Sequence, residues 1–342
     1  MAELRFRDAR IEMAHGAGGK ASRRLIEGLF LPILANPGLA PLDDAAVIEI
    51  GGQKLALTTD SFVVSPLSFS GGSIGTLAVH GTANDLAVSG AKPLALLATF
   101  ILEAGLDAHV LEREVRALSE AARAAGVAVV AGDTKVVEHG KADGLYLTTA
   151  GIGWVDTRLD LSPTRVRPGD QIVLSGPIGD HGITVLLARG EVDLEADLSS
   201  DTRSVWPLVE RLIDSVAVGL RWMRDPTRGG VASALSELAR DANLGITFDE
   251  GAVPVRDVVR GACELLGLDP LHIANEGQFI AVVAPEHLEE TLTVLHGTPG
   301  GEDARRIGSV TEHHPRTVVA TTPYGGSRVV DMLVGDPLPR IC

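Results

Sequence analysis

Residues 43–63 read DDAAVIEIGGQKLALTTDSFV. Val47, Ile48 and Ile50 precede Gly51-Gly52, and Leu55 and Leu57 follow, so the stretch reads as two strands folded about a glycine turn. Asp44 opens the first strand, and Asp60, in Thr58-Thr59-Asp60-Ser61, closes the second. The next segment, Ser73–Ser89, places Ile74, Leu77, Ala78 and Leu86 at helical spacing and ends at Gly90. Leu94–Leu102 reads as a buried strand and Asp107–Ala125 as an amphipathic helix. Val127–Val130 and Leu145–Ile152 read as strands around a loop. The alternation predicts a mixed α/β class.

Residues 156–170, DTRLDLSPTRVRPGD, break this rhythm with two prolines and several charges. They predict a boundary between an N-terminal domain, 1–155, and a C-terminal α/β domain, 156–335, as expected for a chain of 342 residues. The second unit opens with a strand at Gln171–Ser175 and continues through helices near Gly182–Ala188, Thr202–Gly219 and Gly230–Asp241. Strands near Ile246–Phe248 and Phe279–Val283 and a helix at Glu286–His296 follow. Residues 336–342 form a tail whose prolines, Pro337 and Pro339, favour an extended form before Cys342.

Hydrophobic residues make up 45% of the chain and aromatics only 4%, which predicts an aliphatic core. The formal charge of −15, from 45 acidic against 30 basic residues, argues against a general nucleic-acid binder. It leaves ATP open, because Mg²⁺ sits between carboxylates and phosphate oxygens. The first ten residues hold no apolar secretory segment, and the longest apolar stretch, around Pro93–Leu102, is too short to span a bilayer. Two cysteines exclude a disulfide framework and a four-cysteine zinc site. The expected compartment is the cytoplasm.

Carboxylates stand at several unusual positions. Besides Asp44 and Asp60, Asp85 follows Asn84 inside an apolar helix, Asp133 lies at a strand end in Ala131-Gly-Asp-Thr-Lys135, and Asp225 precedes a helix in Asp225-Pro-Thr-Arg-Gly-Gly230. Such side chains converge readily on a hard cation, although each alone also reads as a cap or turn residue. Asp85 is harder to read that way, because Leu86, Ala87 and Val88 mark a buried face and a buried carboxylate needs a counter-charge. The glycine turns at 175–182 and 225–230 precede helices and suit phosphate or an ordinary tight turn. His15-Gly-Ala-Gly-Gly-Lys20 lacks Walker spacing and reads as a mobile flap. Cys263 sits in an apolar helical context and reads as core, whereas Cys342 lies on a segment with little to pack against.

Together, Asp44-Ala-Ala-Val, Thr59-Asp60, Asn84-Asp85, Gly132-Asp133-Thr134 and Asp225-Pro-Thr-Arg-Gly-Gly resemble the aminoimidazole ribonucleotide synthetase superfamily. Within it, Pro339-Arg-Ile-Cys342, His15-Gly-Ala-Gly-Gly, Gly179-Asp-His-Gly182 and Asn275-Glu-Gly277 resemble the HypE family of hydrogenase maturation proteins, almost from end to end. The resemblance implies a two-domain fold that dimerises through its N-terminal domain and binds ATP without a P-loop, with aspartate-held Mg²⁺ at the dimer interface. It also implies a reaction. A partner carbamoyltransferase loads a carboxamide onto Cys342, and ATP drives its dehydration to a thiocyanate. The cyanide then passes to iron held by two further maturation proteins, as a ligand of a nickel–iron hydrogenase.

On this resemblance Asp44, Asp60, Asp85 and Asp225 hold Mg²⁺–ATP, Asp133 joins them, and Asn84 contacts the nucleotide. Glu276 is the implied base, assisted by Lys135, with Cys342 as the substrate thiol. Two rival readings are a superfamily kinase acting on a free metabolite and a carrier that presents Cys342 while sensing ATP. The terminal tetrapeptide speaks against the first, and the set of aspartates against the second.

Overall fold

A computed structural model describes residues 6–39, 42–190, 196–335 and 337–342. The first five residues of the expected N-terminal domain and Asp336, the first of the expected tail, lie outside the described residues. A 3-10 turn at Met13–Gly16 comes first, followed by α1 (Lys20–Leu25), a π-helical turn at Ile26–Phe30 and α2 (Leu31–Leu34). The hairpin follows as β1 (Ala46–Ile50) and β2 (Gln53–Phe62), pairing Ala46 with Leu57 and Ile50 with Gln53. Gly51 and Gly52 turn it at φ of 61° and 78°, a region that side chains with a Cβ avoid.

A short ribbon, β3 (Ser68–Phe69) and β4 (Gly72–Ser73), leads into α3 (Ile74–Val88), β5 (Ala91–Glu103), α4 (Ala108–Ala124), β6 (Ala128–Val137) and β7 (Leu145–Val155). The first sheet has the order β1-β2-β7-β5-β6, antiparallel except between β5 and β6. Alternation along the strands sends Phe62, Leu96 and Leu147 inward, where α3 and α4 cover them with Leu77, Ala78 and Leu118. The opposite face leaves Leu57, Leu94, Leu97 and Trp154 exposed. Strand β6 is longer than its sequence predicts, because β5 offers backbone partners as far as Val137. Asp133 therefore lies inside a strand, not at its end.

Residues 156–170 carry no strand or α-helix and lead to the second sheet. Its elements are β8 (Gln171–Leu174), α5 (Asp180–Ala188), α6 (Trp206–Val216), β9 (Leu220–Arg224), α7 (Gly230–Asp241), β10 (Gly245–Asp249), α8 (Asp257–Leu266), β11 (Ile280–Val283), α9 (Leu288–His296), β12 (Arg305–Thr311), β13 (Val318–Thr321) and β14 (Ser327–Val330). The order is β14-β13-β10-β12-β8-β11-β9. Ile172 and Leu174 meet Val231, Leu235 and Leu238 of α7 on one face, while Val173 meets Val209 and Leu212 of α6 and Leu295 of α9 on the other. Helix α6 begins at Trp206, so residues 202–205 are not helical as the sequence pattern implies.

The two units share side chains. Ala87 and Val88 of α3 pack with Leu159, Val205 and Leu208. The tail also crosses between them, which corrects the expectation that it has little to pack against. Leu338 and Ile341 are 5% and 2% exposed, and both join the core of α3, α5 and α8. Among the described residues no helix is long and apolar enough to cross a membrane.

Candidate active site at the seam between the two units

The carboxylates predicted from sequence come from four separate elements. Asp44 precedes β1, Asp60 points inward from β2, Asp85 lies on α3, and Asp225 follows β9. Oxygen atoms of Asp44, Asp85 and Asp225 all lie within 4.8 Å of one another, and Asp60 stands close enough to Asp85 for their charges to interact. They line one side of a cleft of about 250 Å³ that is closed on the other by Gly18, Gly19, Ser22 and Arg23.

Crowding like charges in a buried place disfavours ionisation. Burial, followed by the charges of Asp60, Asp225 and Asp44, pushes the Asp85 carboxyl well above its ordinary value. Asp225 is raised similarly, by burial and then by Asp44. Asp44 is pushed up to about 6 by burial, against the pull of Arg224, whose Nε lies 3.0 Å from Asp44 Oδ1. Thr58 Oγ1 is 2.8 Å from the Asp44 carbonyl and 2.7 Å from Asp85 Oδ2, but a hydroxyl has one proton to give. The two oxygens compete for that one proton, which leaves the Asp85 carboxylate short of a donor. An all-oxygen set under this strain fits a hard divalent cation, which removes the repulsion.

One wall of the cleft suits phosphate. Helix α7 starts at Gly230, behind Gly229 at φ of 77°, and its first turn carries Ser233 into the cleft lining. Ser233 is 4% exposed and its Oγ has no partner, so the helix end offers an unused hydroxyl beside its free N–H groups. The turn at 175–182 does not serve this way. Its Gly179 N–H donates to Asn275 Oδ1 at 2.7 Å and its Gly182 N–H to the Ala274 carbonyl at 3.2 Å. The flap expected at 15–20 is tied down: Lys20 N–H donates to Leu333 O at 2.8 Å, and Arg228 Nη1 to Gly16 O at 3.0 Å.

Glu276 lies near this cleft, its main-chain carbonyl bonded to Asn84, the neighbour of Asp85. Asn275 fixes the loop by donating from Nδ2 to Pro226 O and Ile273 O, each at 3.0 Å, and Asp201 accepts the Glu276 and Gly277 N–H groups at 3.1 Å. Burial first, then the charges of Asp225, Asp201 and Asp60, raises the Glu276 carboxyl well above its usual range. A carboxylate so raised holds a proton more tightly than an ordinary one, which suits a general base.

Arg228, inside Asp225-Pro-Thr-Arg-Gly-Gly, lines the same cleft although its place in the sequence marks only a turn. Its guanidinium is held above its ordinary value, first by the charge of Cys342 and then, against burial, by Asp60, Glu276 and Asp85. Arg228 thus joins the terminal residue, the base candidate and the carboxylate cluster. Arg224 and Glu237, paired at 3.3 Å, complete the wall.

Three expected members are elsewhere. The nucleotide contact expected of Asn84 is replaced by a structural one. Its Nδ2 donates to Arg203 O at 2.9 Å and to Glu276 O at 3.0 Å, and its Oδ1 accepts from Val205 N–H at 2.9 Å, which occupies the amide. Asp133 and Lys135 lie exposed on β6 and pair with each other at 2.6 Å. Sheet order puts β6 three strands from β2, about 14 Å away, so neither reaches the cluster or the docked Cys342 of its own chain. Cys263 is buried, with its thiol pushed up to about 11 by burial, as a core cysteine should be.

Residues 42–155 match the AIR synthase related protein N-terminal domain, and 167–320 match the AIR synthase related protein C-terminal domain. The carbamoyl dehydratase HypE of Azotobacter vinelandii is 49% identical over 342 residues, covering 100% of both chains. A solved HypE in complex with ATP superposes with a TM-score of 0.81 at 46% identity, covering 97% of this chain and 100% of that one. A HypE–HypF complex gives 0.86 at 42% identity, covering 90% and 99%. With its two sheets, its seam and its carboxylate cluster, the chain belongs to the AIR synthase-related family and, within it, to the HypE carbamoyl dehydratases.

Proposed function

We propose that the protein uses ATP to dehydrate a carboxamide carried on the sulfur of its own Cys342, in the maturation of a nickel–iron hydrogenase. The γ-phosphoryl group of ATP goes to the amide oxygen, and loss of phosphate and the two nitrogen protons leaves Cys–S–C≡N, ADP and phosphate. Amide oxygen is a poor leaving group and phosphate a good one, which is what the ATP supplies. The observation that supports this reading is the docked tail: Val63 N–H, just past the strand that carries Asp60, holds the Cys342 main-chain oxygen at 3.1 Å, while Arg228 lines the carboxylate cleft.

Asp44, Asp85 and Asp225, with Asp60 beside them, would hold Mg²⁺, which when bound neutralises phosphate charge. Ser233 and the start of α7 orient phosphate oxygens. Glu276 takes protons from the amide nitrogen, and Arg228 steadies the charge between the two sites. Asn84 keeps Glu276 in place through its carbonyl.

The carboxamide comes from a HypF-like carbamoyltransferase, and the cyanide goes to an iron-bearing maturation complex, so the tail leaves its dock between steps. Dimerisation uses the apolar outer face of the first sheet, with Leu57, Leu94, Leu97 and Trp154 at its centre. Asp133 and Lys135 act, in this reading, toward a second copy.

The test is intact-mass spectrometry on protein whose Cys342 thiol has been carbamoylated with cyanate. Addition of Mg²⁺ and ATP should remove one water from the adduct. An adduct that persists while ATP is cleaved favours a kinase for a free metabolite, and no cleavage at all favours a carrier.

A further inference from the structure

The tail is held by its main chain. Val63 N–H donates to the Cys342 main-chain oxygen at 3.1 Å, and Ser65 N–H to Arg340 O at 3.3 Å, so the tail runs antiparallel to the residues just past β2. The other grip comes from α5. At its first turn, the fully buried His181 has Nδ1 2.8 Å from Ser200 Oγ and Nε2 3.0 Å from Ile341 O. Ser200 Oγ already accepts Thr202 N–H at 3.1 Å, so its proton is free for Nδ1. That fixes the tautomer: Nε2 carries the hydrogen and donates it to Ile341.

Just past the other end of α5, Arg189 donates from Nη2 to Arg340 O at 2.7 Å and to Pro339 O, while its Nε holds Ser65 O at 2.9 Å. Between these donors Gly182 packs closely on Ile273 and borders the Ile341 side chain. A Cβ there would stand 2.4 Å from Ile273 Cγ2 and 3.4 Å from Ile341 Cδ1. The helix and its C-terminal cap therefore hold three successive tail carbonyls.

We infer that α5 is the docking element for the modified tail, and that His181 and Arg189 are positioning residues that deliver residue 342 to Arg228 and Glu276 by gripping the carbonyls of 339–341. Neither touches the reacting atoms. The inference rests on the proposed function for its purpose, but the docking it describes can be measured without that function.

The experiment uses the full chain as wild type, His181→Ala, Arg189→Ala, the double variant and His181→Gln. Iodoacetamide alkylation of Cys342 is followed by intact mass, with the buried Cys263 as internal reference. In parallel, the first-order water loss of the cyanate-carbamoylated tail is timed, and Mg²⁺–ATP affinity is measured by calorimetry. Each single alanine variant should alkylate about tenfold faster, by the loss of a net hydrogen bond, and the double variant faster still. The double variant should lose water at least about tenfold more slowly at unchanged ATP affinity, and glutamine, which can accept from Ser200 and donate to Ile341, should restore much of the wild-type behaviour. Wild-type alkylation in the alanine variants overturns the inference, as does lost dehydration without faster alkylation. If even the wild-type tail loses no water while the variants alkylate faster, docking stands and the functional reading alone fails.

Discussion

The side-chain amide of Asn84, on α3, donates to the main-chain carbonyl of Glu276 at 3.0 Å, across the seam between the two units. The base candidate is therefore held by a helix that also carries Asp85, one residue away. Asn84→Ala leaves the carbonyls of Arg203 and Glu276 without this donor in a buried place. It should cost about 1–3 kcal/mol of stability and slow water loss more than it weakens nucleotide binding. Thermal unfolding, calorimetry and the mass assay separate these effects, and equal losses in all would argue against a link to Glu276.

Metal binding should compete with protons. Asp44 is raised to about 6, and Asp85 and Asp225 are also raised, so the ion-free cluster gains stability from bound protons that is lost as pH rises through these values. Mg²⁺ should accordingly raise the Tm more at pH 7.5 than at pH 5.5. Asp85→Asn should abolish most of that difference, weaken Mg²⁺–ATP affinity at least about tenfold and leave the ion-free fold intact. An unchanged Mg²⁺ response in this variant would remove Asp85 from the site.

His181 provides an opposite pH limb. Burial lowers its value to about 4, against the Ile341 hydrogen bond, and His80 is likewise lowered to about 4 by burial. A depressed value means stability that is full above the ordinary histidine value near 6.5 and is lost as pH falls toward 4. Two nearby acids titrate in the opposite sense, Asp180 being raised by burial and Asp201 raised to about 6. His181→Gln should flatten the acid-side fall in Tm between about pH 6.5 and 4, leaving the share of His80. An acid limb identical to wild type would place the tail's pH response elsewhere.

The two cysteines should separate function from packing. Cys342→Ala removes the attachment atom and should abolish cyanation, while its main-chain bond to Val63 survives and stability barely changes. Cys263→Ala opens a small hole beside the core of α5 and α8 and should cost about 1–2 kcal/mol with dehydration intact. Mass spectrometry and thermal unfolding on both variants provide the check, and cyanide delivery by Cys342→Ala would end this functional reading.

Much of the first sheet was legible because its signals are local. The Gly51-Gly52 turn, the spacing of Ile74, Leu77 and Leu86, and the Asp107 cap of α4 each lie within a few residues. Strands β9 and β12–β14 were not legible, since β9 follows the α6 segment almost directly and Arg305 and Arg306 open β12 with charges. Of the site, carboxylates could be nominated one by one, because each sits at an odd place in its own element. Arg228 could not, since a guanidinium before a glycine pair reads as turn chemistry until the tail is seen beside it. Asn84 misled for the same reason: its partners are 119 and 192 residues away.

Leu338 and Ile341 are nearly sealed from solvent when the tail is docked. Returning two such side chains to water costs about 3–6 kcal/mol, a term that favours the docked tail. The tail is then less a swinging arm than a guest shared among rival hosts. On the proposed function, any partner that works on the Cys342 sulfur must offer its own apolar socket for those two side chains. Selectivity for the right visitor can therefore reside in residues 338 and 341, which the chemistry never touches.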